Sequence, residues 1–439
     1  MREREVLLLN DDFRYALYVL EQQRRPAFIT GRAGTGKSTL LQLFRHTTRQ
    51  KTVVLAPTGA AAVQVRGQTI HSFFGFPPHL ITPRMLGGLC FAAKSRRPLY
   101  EKIEVLVIDE ISMVRADLLD TIDAFLRHVR RSEAPFGGVQ VVFFGDLFQL
   151  PPVVSKNPEE RYYLASQYVS PYFFSAHVFG SAAQDFEMIE LRRVYRQNSP
   201  YFLQLLEAVR TNRLTGEELD ALNERYDPHF PHEDGYLTLC ARNSTVDRIN
   251  HQKLGRLPGR ALVYRAEIFG QFDPNVYPTD LVLLLKKGAQ VMFIKNDSGG
   301  QYVNGTIGVV SHLDEDTVEV RIQEAHQPEF TVEVQPVDWE IIRYKIDPAT
   351  GELTTEVIGV FRQLPLRLAW AITIHKSQGK TFDRVIIDLA GGAFEHGQLY
   401  VALSRCRSLE GLVLRHPVRP RDVIVDERVV DFFERYFRR

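Results

Sequence analysis

The stretch "GRAGTGKS" (31–38) constrains this chain more than any other feature in it. Gly31, Gly36, Lys37 and Ser38 satisfy the pattern G-x-x-x-x-G-K-[ST]. The run "PAFIT" before it reads as a buried strand, and "KSTLLQLFRHT" after it reads as a helix. That strand–loop–helix context is what a phosphate-binding loop requires. Glycines let backbone N–H groups close around phosphates, and the helix N-terminus adds the positive end of its dipole. The nucleotide set read here is Gly34, Thr35, Gly36, Lys37, Ser38 and Thr39. Lys37 is expected to reach the β/γ-phosphates and Ser38 to bind Mg²⁺.

From the loop to about residue 190, short apolar runs alternate with helical stretches. The strands read are "TVVLAP", "VLVIDE" and "VQVVFFGD". This pattern predicts an α/β fold, a parallel sheet with crossover helices. A second unit is expected to start near "EMIELRRVYRQ" and to include helical text over 201–225, then strand-like "YLTLCARN" and "VDRIN". From about 288 to 362 the period changes to alternation, which predicts a small all-β insert. Then α/β character returns at "LAWAITIHKSQG" and "RVIIDLA". The end of the chain, "ERVVDFFERYF", carries Val429, Phe432, Phe433 and Tyr436 at helical spacing. The expected division is 1–190 for the first domain, with a small insert at about 75–100, then 191–290 plus 363–439 for the second domain and 291–362 for the β insert.

Composition excludes some partners. The chain has 439 residues, enough for two or more domains, and a net charge of +1. Without a global basic signature, a nucleic-acid partner needs a local groove. Cys90, Cys240 and Cys406 are far apart, with no C-x-x-C pair and no metal spacing, which points to a reducing intracellular compartment. The N-terminal apolar run is too short for a signal peptide, and no stretch approaches a membrane span. The expectation is a cytoplasmic, nucleoid-associated protein with no membrane partner.

Three further stretches carry chemistry. "VLVIDE" sets Asp109 and Glu110 at the C-terminal end of an apolar strand. An acid there holds Mg²⁺, and its neighbour can orient and deprotonate the attacking water. "GDLFQLPPV" brings Gln149 to the same sheet edge, where a neutral amide senses the γ-phosphate. Arg196 in "YRQ" and Arg405 in "YVALSR" lie beyond the first domain. Guanidinium groups stabilise the charge that develops in phosphoryl transfer. If both come from a second domain, hydrolysis becomes relative domain motion. Two other stretches suit a nucleic-acid backbone. "APTGAAAVQVRGQTIHSFFGFPP" offers Pro57, Thr58, Gly59, Thr69, His71 and Ser72, with Phe73, Phe74 and Phe76 as stacking candidates. "TIHKSQGKTFDRV" offers His375, Lys376, Ser377 and Gln378. Small polar groups contact phosphates without reading sequence, and aromatics stack bases.

In that order, "GRAGTGKS", "APTGAAA", "GQTIHSFF", "VLVIDEISM", "GDLFQLPPV", "YRQ", "IHKSQGKTFDRV" and "YVALSRC" resemble superfamily-one helicases. "RADLLDTIDAFLRHVRRSEAPFGG" is similar to the signature of the petite-integration-frequency (Pif-type) DNA helicases, and "GAQVMFIKN" with "VNGTIGVV" also looks like that family. The resemblance covers almost the whole chain. It implies two RecA-like domains, an SH3-type β insert and a strand-separating wedge within 75–100. It implies a monomer that moves 5′→3′ on single-stranded DNA with ATP and Mg²⁺ and unwinds forked duplexes, G-quadruplexes and RNA–DNA hybrids. Roles in DNA repair, recombination and telomere maintenance come with it. By the resemblance, Asp109 is the metal acid, Glu110 the base, Gln149 the sensor, and Arg196 and Arg405 the fingers. Thr58, His71, His375 and Ser377 fall on the DNA backbone, and Gly379 belongs to the nucleotide set. One departure stands out. The family usually reads adenine with a glutamine in an N-terminal motif, and Phe13 stands near that place. Either Asn10 substitutes, or the base is only sandwiched. The alternative readings are a RecD-like translocase and a DNA-stimulated ATPase clamp. The absence of long terminal regions fits a minimal bacterial-type enzyme or a core cut from a longer one.

Overall fold

The computed structural model describes residues 9–197, 199–231, 235–297, 299–315, 317–323 and 328–437. Most of the N-terminal apolar run, residues 6–8, lies outside them. The first sheet is built from β1 (Ala27–Gly31), β2 (Thr52–Ala56), β3 (Gln68–Thr69), β4 (Val105–Ile108), β5 (Gln140–Phe144) and β6 (Glu187–Leu191). Their spatial order is β3-β2-β4-β5-β1-β6, all parallel. The strands read as continuous apolar runs because both faces are covered. Ile29, Val107 and Phe144 pack under the helices on one face, and Phe28, Leu106 and Phe143 pack in the core of the other. The phosphate loop leaves β1 at the sheet's C-terminal edge, next to the ends of β4 and β5. Ligands bind at that edge in open α/β sheets.

A second parallel sheet runs Ala371–Thr373, Leu237–Cys240, Val385–Asp388, Leu412–Leu414. Between its first two strands in the sequence lies an antiparallel region. Five strands pair in the order Phe330–Val334, Val318–Ile322, Ile307–Leu313, Gln290–Phe293, Leu366–Leu368. A long hairpin, Val337–Ile346 with Leu353–Gln363, pairs with Glu267–Gly270. The antiparallel strands therefore reach outside 291–362 on both sides. The outer ones are short, so alternation alone did not reveal them.

Three further differences have physical causes. The stretch "EMIEL" belongs to the first sheet as β6, since it pairs with β1 over five residues. "VDRIN" is not a strand; it lies inside the helix Asn243–Arg256, whose long polar side chains hide the period. The amphipathic helix Glu427–Phe437 packs on the first sheet. Phe432 stacks on Phe174 at 4.6 Å and approaches Phe28 of β1 at 6.2 Å. The end of the chain thus closes the core that its beginning opens. Phe432→Ala is expected to destabilise this region by about 3 kcal/mol, seen as a lower urea midpoint for loss of tertiary signal.

Candidate nucleotide site and seam

The C-terminal edge of the first sheet faces the second sheet across a cavity of about 1360 Å³. Loop residues Gly34, Thr35, Gly36, Lys37, Ser38 and Thr39 line it, together with Glu110, Gln149, Arg196, Gly379 and Arg405. Backbone geometry explains why the loop needs glycine. Gly34 and Gly36 have φ of +85° and +87°, and a Cβ on Gly34 would lie 2.5 Å from Arg196 Cβ. Lys37 Nζ donates to the carbonyls of Gly31 at 2.6 Å and Arg32 at 3.1 Å, so the ammonium is folded over the loop. Burial holds Lys37 below its usual range, against the charges of Asp146 and Glu110.

Glu110 follows β4 with φ +50°, a left-handed conformation that is strained for a branched-free carboxylate residue and turns it into the cavity. Burial raises its pKa, opposed by Lys37 and Arg405. A carboxylate moved toward neutrality is suited to proton transfer. Asp109 does not line the cavity. It is buried beside it, and burial and the Glu110 charge raise it in turn. Gln149 is held from behind, where its Nε2 donates to Asp146 Oδ2 at 3.2 Å.

Arg196 and Arg405 reach the cavity by different routes. Arg405 follows the helix Gln398–Leu403 of the second sheet's unit. Its Nε donates to Val401 O at 2.9 Å and its Nη2 to Ser404 Oγ at 2.8 Å. Arg196 lies five residues past β6, on a segment tied to the loop by Tyr195 N donating to Gly34 O at 2.9 Å. Its Nη1 donates to Ser404 O at 3.1 Å. Burial lowers both guanidiniums, Arg405 to about 10, and the Arg405 charge lowers Arg196 further. Lys37 and these two arginines concentrate positive charge in a low-dielectric cleft, the electrostatics a polyphosphate would satisfy.

The remaining expected residues divide. Asn10 does not line the cavity. Its Oδ1 accepts from Phe13 N at 2.8 Å as a helix cap, and its Nδ2 donates to Tyr195 Oη at 3.0 Å. Phe13 and Tyr195 do line it, both beside Gly36. Thr58 and Thr69 cap short helices by accepting from Ala61 N and Ser72 N, which leaves their hydroxyl protons free to donate. Pro57 and His71 are half-buried, and Ser72 is exposed. Gly59 is covered, since a Cβ there would strike Val276 of the antiparallel region. Gly379 lies against Gln64 of the helix Gly59–Gln64, so the two stretches that sequence singled out adjoin across the seam. His375 sits 3.3 Å from Glu395, and Gln378 Nε2 is buried without a hydrogen-bond partner.

Two expectations fail. Phe74 is only 2% exposed and packs on Phe76 and Phe125, so it is core and not a base-stacking platform. Phe73 and Phe76 join it. Interleaved aromatics do not announce which way they face. The Ser377 side chain is fully buried, and its hydroxyl donates to Ile374 O at 2.6 Å, so it is structural.

Comparison with known proteins agrees with this arrangement. A family profile described as PIF1-like helicase matches residues 14–215, and one described as UvrD-like helicase C-terminal domain matches 368–413. The Danio rerio ATP-dependent DNA helicase PIF1 is 36% identical over 430 residues, covering 93% of this chain and 61% of that protein. The Bdellovibrio bacteriovorus ATP-dependent DNA helicase Pif1 is 33% identical over 423 residues, covering 93% of this chain and 88% of that one. Bacteroides sp Pif1 in complex with ADP-AlF4 superposes with a TM-score of 0.89 at 39% identity, covering 98% of this chain and 97% of that one. The chain belongs to the PIF1-like helicase family. Its two parallel sheets are RecA-like. Bacteroides Pif1 bound to ssDNA, at the same identity and coverage, superposes at 0.68. The chain spans about three-fifths of the length of the first animal relatives it matches, at 61% and 60%.

In this family member, sequence reasoning missed several cavity and seam residues. Arg193, Tyr195, Ser199, Thr381, Arg407 and Ser408 also line the cavity. Gln197, next to Arg196, donates from Nε2 to Ser404 O at 3.1 Å and Cys406 O at 3.0 Å, fastening the Arg405 turn. The "YRQ" motif held that signal, but only its arginine was read. Glu110→Gln is expected to lower ATP turnover by at least about 100-fold, the floor for positioned proton transfer. Nucleotide affinity measured by fluorescent-analogue titration should hardly change.

Proposed function

We propose that this chain is an ATP-dependent DNA helicase that moves 5′→3′ along single-stranded DNA and opens forked duplexes, with G-quadruplexes and RNA–DNA hybrids as further substrates. The observation that carries the reading is the meeting of Lys37, Glu110 and Gln149 from the first sheet with Arg405 from the second around one cavity. Hydrolysis there changes the charge that holds the sheets together. The proposed track runs over Thr58, Thr69, Ser72 and His71 on one side and His375 and Gln378 on the other, with backbone phosphates as the ligand. Stepping follows from changing the separation of those two stretches. Two relatives support this, the Bdellovibrio ATP-dependent DNA helicase by its activity and the Bacteroides Pif1 by its bound single-stranded DNA. The working form is proposed to be a monomer. The segment 75–100 is proposed as the strand-separating wedge, with Phe91 standing 77% exposed on its helix Pro83–Ala92.

The loop glycines and the three cations fit a bound triphosphate, and Ser38 and Asp109 would hold its Mg²⁺, which would supply neutralisation of the phosphate charge. Glu110 takes the proton of the attacking water. Gln149 orients that water and reads whether the γ-phosphate is present. Arg196 and Arg405 stabilise the charge that develops on the transferred oxygens. Division of roles across a seam makes hydrolysis depend on how the seam is seated. We also propose that the base is stacked between Phe13 and Tyr195 and not read by Asn10, whose side chain is engaged by Phe13 N and Tyr195 Oη.

Strand displacement with purified protein, ATP and Mg²⁺ on two partial duplexes, one with a 5′ and one with a 3′ single-stranded tail, tests the first reading. Unwinding of the 5′-tailed duplex alone is expected. Unwinding of the 3′-tailed one alone would reverse the polarity, and DNA-stimulated hydrolysis with neither duplex opened would leave only a translocase or clamp. For the base, GTP should be hydrolysed at a rate comparable to ATP in a DNA-stimulated phosphate-release assay. Strict dependence on ATP would overturn the stacking account.

A further inference from the structure

Behind the cavity lies a second, fully enclosed layer of charge that the hydrolysis scheme above does not use. Its centre is Asp146, at 1% exposure. Four donors converge on its carboxylate. Gln149 Nε2 reaches Oδ2 at 3.2 Å, and Phe148 N reaches Oδ1 at 3.2 Å. Both belong to Asp146's own loop. The other two come from the far side of the seam. Arg210 Nη2 lies 3.5 Å from Oδ1, and the Tyr400 hydroxyl donates to Oδ2 at 3.4 Å. Burial pushes the Asp146 carboxyl up, but Arg210, Lys37 and the two loop donors outweigh it and hold it below the usual carboxylate range.

Arg210 is the last residue of the helix Pro200–Arg210 and is 1% exposed. Its guanidinium lies 4.0 Å from the Phe148 ring centroid and 5.1 Å from that of Phe433. Glu207, one turn earlier, approaches it at 3.4 Å and also pairs with Arg32 of the phosphate loop at 3.0 Å. Tyr400 sits on the helix Gln398–Leu403 that leads into Arg405. Its hydroxyl accepts from Ala33 N of the phosphate loop at 3.0 Å while donating to Asp146. The two helices pack against each other. Neither Arg210 nor Tyr400 lines the cavity.

A buried ion pair is a poor way to add stability, because an apolar pair of similar volume does as well. Its value is geometric. The Gln149 amide has Asp146 as its hydrogen-bond partner, and Asp146 is fixed by groups on the second side. We infer that Arg210 and Tyr400 are positioning residues, which set the Gln149 amide through Asp146 and do so only while the Arg405 helix is seated against the glutamine loop. The same seating delivers Arg405 and aligns Gln149. The inference rests on the proposed ATP hydrolysis at this cavity.

The test compares Tyr400→Phe and Arg210→Met, each made in the parent and in Gln149→Ala. Basal and oligo-dT-stimulated ATP hydrolysis are both measured. In the parent, Tyr400→Phe should lower kcat about tenfold and Arg210→Met about 100-fold, the scale of a catalytic group misplaced by an ångström. KM for ATP should change little. In Gln149→Ala neither substitution should lower kcat further, because the relay's target is gone. A purely structural role would instead give the same fold-loss in both backgrounds, and that outcome overturns the relay. So does parent-like kcat in Tyr400→Phe, which removes a single oxygen and keeps the ring; this variant decides the matter if Arg210→Met does not fold. Loss of DNA stimulation in the parent would count against the helicase reading, while the basal rates still decide the relay.

Discussion

Everything at the centre of this structure depends on holding charge out of water between two parallel sheets. Lys37 and Arg196, half-buried, and Arg405, buried, surround one cavity, and Asp146 and Arg210 are buried just behind it. In a low-dielectric setting each unbalanced charge is expensive, and each well-placed one acts strongly on a neighbour. The arrangement separates two duties. The inner layer is balanced within the protein, with Asp146 against Arg210 and three hydroxyl or amide donors. The outer layer is left with excess positive charge facing Glu110, and that excess is what a triphosphate completes.

Close backbone approach makes the two layers respond together. Gly397, which begins the Arg405 helix, has φ +70°, and a Cβ there would lie 2.3 Å from Phe148 O and 2.5 Å from Gln149 O. One residue earlier, His396 donates from Nε2 to Leu147 O at 2.8 Å, while its Nδ1 accepts from Asp426 N at 2.9 Å, which fixes its tautomer. The Arg405 helix therefore touches the glutamine loop through a glycine, a histidine and Tyr400. A shift of that helix cannot leave the loop undisturbed.

Much of this site was legible because its parts sit at fixed places along strands. A phosphate loop must leave one strand and an acid pair must end another, so Lys37, Ser38, Glu110 and Gln149 could be read from short windows, while Asp109 stands beside the cavity and not in its lining. Arg405 was legible from its motif. Arg210 and Tyr400 were not, since their partner Asp146 lies 64 and 254 residues away in sequence and no local spacing links them. Facing is equally invisible. Phe74 and Ser377 stand in stretches rich in binding-type residues, yet both turn inward. The helix Asn243–Arg256 hides its period because it buries mainly Leu254. The C-terminal helix read correctly as amphipathic, but its window said nothing of the sheet it covers.

A seam that opens and closes, as the proposed stepping requires, gains from polar groups as well as from an apolar face. Separating apolar surface costs about 25 cal/mol per Å² with nothing regained from water. Separating Asp146 from Arg210 and Tyr400 returns hydration to all three, which offsets most of the lost attraction. Two further contacts beyond the cavity are polar as well. Tyr344 of the long antiparallel hairpin accepts from Val54 N at 3.1 Å on the open edge of β2, and Lys51 pairs with Glu352 at 3.4 Å. These contacts are directional, so they specify one seated arrangement. The largest apolar cluster runs through both sheets, taking in Leu106 and Phe143 of the first and Leu239 and Leu412 of the second, so the polar contacts specify how the sheets are seated while apolar packing is shared between them.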